Sequence, residues 1–306
     1  MQSHHWVIDF HFHNNSRAIM YRVQNAVAHT SSDYQEILIV DLVDFGRALF
    51  LDGSPQSSAM DEYIYHEALV HPALIASRNA QKVFVAGGGE GAVLREALKH
   101  NTVEQVIMVD IDKAMIDLAR QHLSLWHQGA FDDPRVQVLC QDAREYLTHC
   151  QESFDCILMD VADPLSGSPA ALLFTQEFFG IVKSRLKPGG TFATQAEPAD
   201  ICDYSAHTSI VKTLRGCFDF VYSYQVGIPF YGSTWGFVLA SDSPLNQRLN
   251  PEGINRILAE RDCSRLRFYD AESHLHMFSL PKYLRDAIKD PDVGAIISDN
   301  QLLVVE

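Results

Sequence analysis

The chain has 306 residues, 47% of them hydrophobic and 21% charged, with a formal net charge of −15. That is the composition of a soluble globular protein, long enough for one large α/β domain with an appendage or for two modest domains. No basic stripe offsets the acids, which excludes a nucleic-acid binder and is compatible with a cationic substrate.

The first residues carry His4, His5, His11 and His13 in no defined metal motif, and an exposed, mobile arm is expected there. No basic region followed by an apolar core occurs in the first twenty residues, so no secretory signal is read. From about Arg17 to Gln56 the pattern is β-like. Gln35 to Leu42 and Arg47 to Leu51 are apolar and split by Asp44-Phe45-Gly46, a hairpin, with Asp52-Gly53 as the next turn. Asp61 to Leu74 reads as a helix that Pro72 bends or restarts.

From Lys82 the rhythm becomes strand, loop, helix. Strands are predicted at Val83 to Ala86, Gln105 to Val109, Val136 to Cys140 and Cys156 to Met159, with helices at Ala92 to Lys99, Lys113 to Leu123 and Ala143 to Thr148. Phe178 to Leu186 is a further helix ended by Lys187-Pro188-Gly189-Gly190, before a strand at Thr191 to Thr194. Phe220 to Val226 and Gly236 to Ala240 close the sheet. The alternation predicts a mostly parallel sheet covered on both faces, preceded by a small antiparallel β domain. The expected domains are 1–70 and 71–306. No apolar run reaches the ~18 residues of a membrane span. Six cysteines without a Cys-x-x-Cys pair fall in or beside apolar runs, which predicts buried free thiols and a cytoplasmic location.

In doubly wound sheets the ligand sits beyond the carboxyl ends of the strands. Four successive strands here run into an acid: Glu90 in the glycine loop Gly87-Gly-Gly-Glu90-Gly91, then Asp110, Asp142 and Asp160. A loop built for phosphate would exclude Glu90, because like charges repel in a partly desolvated site. The ligand expected is therefore an adenosine compound that is cationic. Asp110 follows the loop by about twenty residues, a spacing suited to ribose hydroxyls, while Asp112 is the N-cap of the next helix. Asp142 is open to a capping-box reading with Glu145. Asp160-Val-Ala-Asp163-Pro164 is either a solvated turn or a carboxylate pair that grips and deprotonates an amine.

Together the glycine loop with Arg95-Glu96, Val109-Asp-Ile-Asp112, Gln141-Asp-Ala-Arg144, Asp160-Val-Ala-Asp-Pro164, Leu51-Asp-Gly-Ser-Pro-Gln56 and Asp61-Glu-Tyr-Ile-Tyr65-His-Glu67 resemble the polyamine aminopropyltransferases, the spermidine synthase family. The resemblance spans about residues 30 to 285. It implies a class I methyltransferase-like Rossmann domain and decarboxylated S-adenosylmethionine as a co-substrate, with no separate cofactor and no metal. It also implies donor contacts from Gln35, His66, Gly87, Gly89, Glu90, Asp110 on the ribose, and Asp142 with Ala143 at the adenine. Around the acceptor amine it implies Tyr65, Asp160, Asp163, Gln195, Glu197 and Tyr231, with Asp160 as base and Tyr65 orienting the nitrogen. A homodimer or homotetramer is the expected assembly.

His66, the shortened Tyr231-Gly-Ser-Thr-Trp-Gly236 loop and Leu266-Arg-Phe-Tyr-Asp270 look like the thermospermine synthase branch, whose acceptor is spermidine. Gln195-Ala-Glu197 looks instead like spermidine synthases acting on putrescine or agmatine. Glu197 is open to two readings, an anchor for an additional ammonium or a solvated loop acid. Trp235 and Tyr231 suggest an apolar wall for acceptor methylenes or simply core. A conventional methyltransferase is disfavoured by Glu90 and the Asp160/Asp163 pair, and a catalytically silent homologue by the presence of Asp160 and Tyr65.

Overall fold

Alternation of side chains along two sheets organises the protein. The computed structural model describes residues 5–10, 17–77, 80–165, 167–245, 249–263 and 265–305. The first sheet is antiparallel with strands in chain order: β1 (His5–Asp9), β2 (Ile19–Ser31), β3 (Glu36–Leu42), β4 (Gly46–Leu51) and β5 (Ser54–Ser58). His5 opens β1 and pairs with Val23, so this histidine belongs to the sheet rather than to a mobile arm. His4, His11 and His13 lie outside the described residues. The expected hairpin is β3–β4, and Asp52 and Gly53 both take positive φ in the turn before β5.

Helix α1 (Glu62–Ala76) follows and runs unbroken through Pro72 and across residue 70. A proline inside a helix removes the N–H that would bond the carbonyl four residues back. Here that carbonyl belongs to Ala68, and the Tyr224 hydroxyl donates to it at 3.0 Å. Distant chemistry thus satisfies the group that Pro72 orphans, and the helix is not restarted.

The second part alternates as predicted: β6 (Lys82–Gly87), α2 (Ala92–Leu98), β7 (Gln105–Asp110), α3 (Lys113–His122), the single turn α4 (Ser124–His127), β8 (Val136–Cys140), α5 (Ala143–His149), β9 (Phe154–Asp160), α6 (Gln176–Arg185) and β10 (Leu186–Pro198). Then come α7 (Ser205–Arg215), β11 (Phe220–Ile228), β12 (Ser233–Ser241), α8 (Pro251–Glu260), α9 (Ala271–Phe278) and α10 (Lys282–Lys289). The sheet order is β11-β12-β10-β9-β6-β7-β8, with β12 antiparallel to both β10 and β11 and the other pairs parallel. One expectation is corrected. Lys187 to Gly190 do not separate helix from strand; β10 already pairs with β9 at Leu186 and bulges before Thr191.

Successive strand residues point to opposite faces. Val83, Val85, Val106, Met108 and Leu158 therefore join one buried cluster with α1, α2 and α3. Phe84, Ile107, Ile157 and Met159 join the other with α5, α6 and α7. The first sheet docks on the second part through Tyr21, whose ring packs on Phe50 and Phe230 and whose hydroxyl donates to the Phe230 carbonyl at 2.6 Å. Of the cysteines only Cys156 and Cys263 are buried, while Cys140 and Cys202 are exposed, so the expectation of six buried thiols fails.

Candidate active site

Strand β6 lies between β7 and β9: the chain steps from β6 to β7 and β8 on one side and crosses back to β9 on the other, a reversal that opens a crevice at the carboxyl end of β6. The register sets Gly87 opposite Asp160. A Cβ on Gly87, which has φ +79°, would stand 2.1 Å from the Asp160 carbonyl oxygen, and one on Gly89 would stand 2.8 Å from Asp110 Oδ2. The Gly88 amide donates to the Asp160 carbonyl at 2.8 Å. Glycine is required here because the two strand ends touch the loop backbone itself.

A cavity of about 170 Å³ fills the crevice. Its wall includes Gly87 to Glu90, Asp110, Asp142 and Ala143, with Gln35 and Asp52 reaching in from the first sheet. Seven carboxylates line it (Asp52, Glu90, Asp110, Asp112, Asp142, Asp160, Asp163), and among the described residues no lysine, arginine or histidine does. Burial pushes both Asp110 and Asp160 up to about 6. The wall is chemically selective for a cation.

Two acids combine the roles weighed from sequence. Asp142 caps α5, Oδ1 accepting from the amides of Arg144 at 2.7 Å and Glu145 at 3.0 Å, and still lines the cavity. Asp112 caps α3 through the Ala114 and Met115 amides and also accepts from Ser32 Oγ at 2.7 Å and Gln35 Nε2 at 2.8 Å. Asp112 therefore fastens the first sheet to the crevice, a role that capping statistics do not reveal.

His66 stands behind the cavity wall, not in it. Its Nε2 meets Glu90 Oε1 at 2.7 Å, and its Nδ1 meets the Glu62 carbonyl oxygen at 2.7 Å and Oε2 at 3.0 Å. Burial opposes its charged form, but hydrogen bonds to Glu62 and Glu90 outweigh burial and hold it well above the ordinary histidine range. Ser57 Oγ donates to Glu90 Oε2 at 2.6 Å. Beyond Glu62, Arg95 forks between Glu62 (2.8 Å) and Glu96 (2.7 Å), and Glu96 meets Lys99 and His71. A buried ladder of alternating charge thus ends at Glu90 and fixes the direction of its carboxylate.

On the β9 side, Tyr65 Oη donates to Asp160 Oδ1 at 2.9 Å. Burial first, then the Asp160 charge, push the Tyr65 phenol well above its ordinary range, so it stays a donor. Its ring meets Tyr231 edge-on (centroids 6.2 Å apart), and Tyr231 meets Trp235 at 4.8 Å. Tyr231 and Trp235 stand at a second cavity of about 320 Å³, which shares Ser54, Asp163, Leu165 and Tyr231 with the first. Four acids line it (Asp9, Asp163, Glu197, Asp203), and again no lysine, arginine or histidine among the described residues.

Glu197 is 2% exposed and takes φ +63°, which removes the reading of a solvated loop acid. Burial, then the neighbouring Asp163 charge, push its carboxyl well above the ordinary range. Gln195 lines neither cavity. It clamps Glu197, donating from Nε2 to Glu197 Oε1 at 3.1 Å and accepting from the Glu197 amide at 2.9 Å. Asp9 and Asp203 were not singled out from sequence, because nothing in their local pattern connects them to residue 163.

Outside both cavities, His71, His100 and Cys263 bring ligand-type atoms within 4.8 Å of one another. His71 Nδ1 and His100 Nε2 hydrogen-bond each other at 3.0 Å, and the charges of Arg261 and Lys99 oppose a further cation there.

Comparison with known proteins matches residues 62–250 to the Spermine/spermidine synthase domain and residues 6–58 to the Spermidine synthase tetramerisation domain. Polyamine aminopropyltransferase 2 of Hyperthermus butylicus is 42% identical over 272 residues, 89% of each chain. The polyamine aminopropyltransferase of Aeropyrum pernix is 42% identical over 292 residues, covering 94% of this chain and 92% of its own. Among solved structures, spermidine synthase from Thermotoga maritima superposes with a TM-score of 0.85 at 28% identity, covering 94% of this chain and 95% of that one. Spermidine synthase in complex with the transition-state analogue AdoDATO superposes with a TM-score of 0.87 at 28% identity, covering 94% and 96%.

Proposed function

This chain belongs to the spermine/spermidine synthase family, the polyamine aminopropyltransferases, and from that premise we propose that it moves an aminopropyl group from decarboxylated S-adenosylmethionine to the triamine spermidine. The donor reading rests on the first cavity, whose seven carboxylates favour a sulfonium and a terminal ammonium. S-adenosylmethionine itself carries a carboxylate that such a wall repels, which argues against methyl transfer. Asp110 is assigned to the ribose, Asp142 with Ala143 to the adenine side, Gly87 and Gly89 to close backbone approach, and Gln35 to the opposite wall. Glu90 receives the aminopropyl ammonium, and His66 holds Glu90 in place from behind.

The acceptor nitrogen must be neutral to attack, although free alkylamines have pKa values near about 10. Asp160 takes the proton, and Tyr65 orients both Asp160 and the nitrogen. The nitrogen lone pair forms the new N–C bond as the C–S bond breaks, its electrons go to sulfur, and methylthioadenosine leaves neutral.

The observation that carries the longer acceptor is the second acidic cavity joined to the first along Tyr231. Asp163 lies at the junction and suits one ammonium, and Glu197 lies beyond it, where the charge of a second ammonium favours its ionised form. Glu197→Gln removes a charged partner worth about 1.5–3 kcal/mol, so KM for spermidine rises about 10- to 100-fold while that for putrescine changes much less. Steady-state kinetics with putrescine, agmatine, spermidine and norspermidine as acceptors checks both points, and product from putrescine alone would overturn the reading. No resident cofactor enters this chemistry. No helix among the described residues is long and apolar enough to cross a membrane, and a cytoplasmic enzyme is our reading. Residues 6–58 support assembly through the first sheet into a homotetramer, with sedimentation velocity as its test.

A further inference from the structure

We propose that the segment Leu303–Val305 sets the length of polyamine this enzyme accepts, acting as the outer wall of the second cavity. The idea rests on the spermidine reading above. Leu303, Val304 and Val305 all line that cavity together with the carboxylates Asp163 and Glu197. With Leu165, Tyr231 and Trp235 they make its apolar lining, matched to methylenes as the acids are matched to ammonium groups.

The segment is sewn down on both sides of the site. Upstream, the Arg144 guanidinium forks on Asp299 at 2.8 and 2.6 Å, the Ile297 amide donates to Thr213 Oγ1 at 2.9 Å, and the Gln176 amide donates to the Ile297 carbonyl at 2.9 Å. A turn pairing Ser298 with Gln301 then leads the chain to Leu165. Val305 bridges Leu165 in parallel, its amide donating to the Pro164 carbonyl at 3.1 Å. Leu165 and Asp163 border both cavities, so the returning chain braces the loop that carries the junction acid. A wall held at Asp299 and again at Val305 has a fixed position, and the space between it and Glu197 becomes a ruler.

Two variants test the ruler in the full-length enzyme. Val304, 40% exposed, tolerates a larger side chain, and Val304→Trp narrows the cavity. Leu303→Ala removes apolar contact without adding bulk. The readout is the ratio of kcat/KM for spermidine to that for putrescine, with donor KM reporting an intact first cavity. We expect the ratio to fall by about tenfold or more in Val304→Trp, the discrimination a hydrophobic wall gives for a methylene or two, and to fall less in Leu303→Ala. Wild-type enzyme using spermidine, with both variants changing the two acceptors by the same factor or not at all, overturns the ruler and leaves the acceptor reading intact. Wild-type enzyme using putrescine alone overturns both.

Discussion

Asp160→Asn lowers turnover by about two to four orders of magnitude, the usual loss when a positioned general base is removed, while affinity for methylthioadenosine is retained. The substitution keeps the shape of the side chain and an acceptor for the Tyr65 hydroxyl, so what it deletes is the capacity to take a proton. Calorimetric binding of methylthioadenosine beside steady-state turnover separates the two quantities, and near wild-type turnover would remove Asp160 as the base. A pH dependence accompanies the loss. Burial raises Asp160 to about 6, so the base form fills only above that pH and kcat/KM falls as pH drops through about 6. Asp110, pushed to about 6 by burial as well, titrates in the same window. The acid limb that survives in Asp160→Asn therefore includes donor binding at Asp110, shifted to lower pH because the Asp160 charge that helps raise Asp110 is gone.

Arg95→Met destabilises the fold by about 3–5 kcal/mol, because it strips the partner from two buried carboxylates at once. Glu62 is 6% and Glu96 0% exposed, and Arg95 meets both as well as the Trp126 carbonyl at 2.6 Å. Urea unfolding at pH 7 measures the loss, and a change below about 1 kcal/mol would show that water or His71 and Lys99 compensate. The pH profile carries the same signature. Burial opposes ionisation of Glu96, but His71, Arg95 and Lys99 outweigh it and hold the acid far below its ordinary range. A depressed acid contributes stability above its unfolded pKa, near 4.5, that is lost as pH falls toward its folded pKa. Without Arg95 that acid loss becomes shallower. Through Glu62 and His66 the same substitution loosens Glu90, so donor KM rises together with the loss of stability.

Much of the site was legible because its parts follow local rules. Buried parallel strands read as apolar runs, and residues at or just beyond their carboxyl ends line the crevice. Asp110 and Asp160 were therefore found as the last residues of β7 and β9, Glu90 and Asp142 from the loops that follow β6 and β8, and Asp112 and Asp142 as caps from their places before helices. Where a residue does two things the local rule gave one of them: capping was visible for Asp112, its grip on Gln35 was not. Pro72 failed in the opposite direction, since its expected break is cancelled by a hydroxyl 152 positions later in the chain, at Tyr224. The Lys187 to Gly190 stretch read as a stop signal because proline and glycine end helices, yet β9 pairs with Leu186 before it and Thr191 after it, and the stretch becomes a bulge within β10.

Sequence by itself determined the strand order of events along the chain, the glycine loop, the acids at the strand ends and hence a cationic adenosine donor. Each of these depends on residues near one another in the chain, where backbone geometry allows few alternatives. Only the tertiary structure decided that His66 stands behind Glu90, that Gln195 clamps Glu197, and that Asp9, Asp163, Glu197, Asp203 and Leu303–Val305 surround one cavity. Asp9 and Leu303–Val305 come from opposite ends of the chain, and burial and charge, which set how readily a carboxylate ionises, exist only once such parts have met.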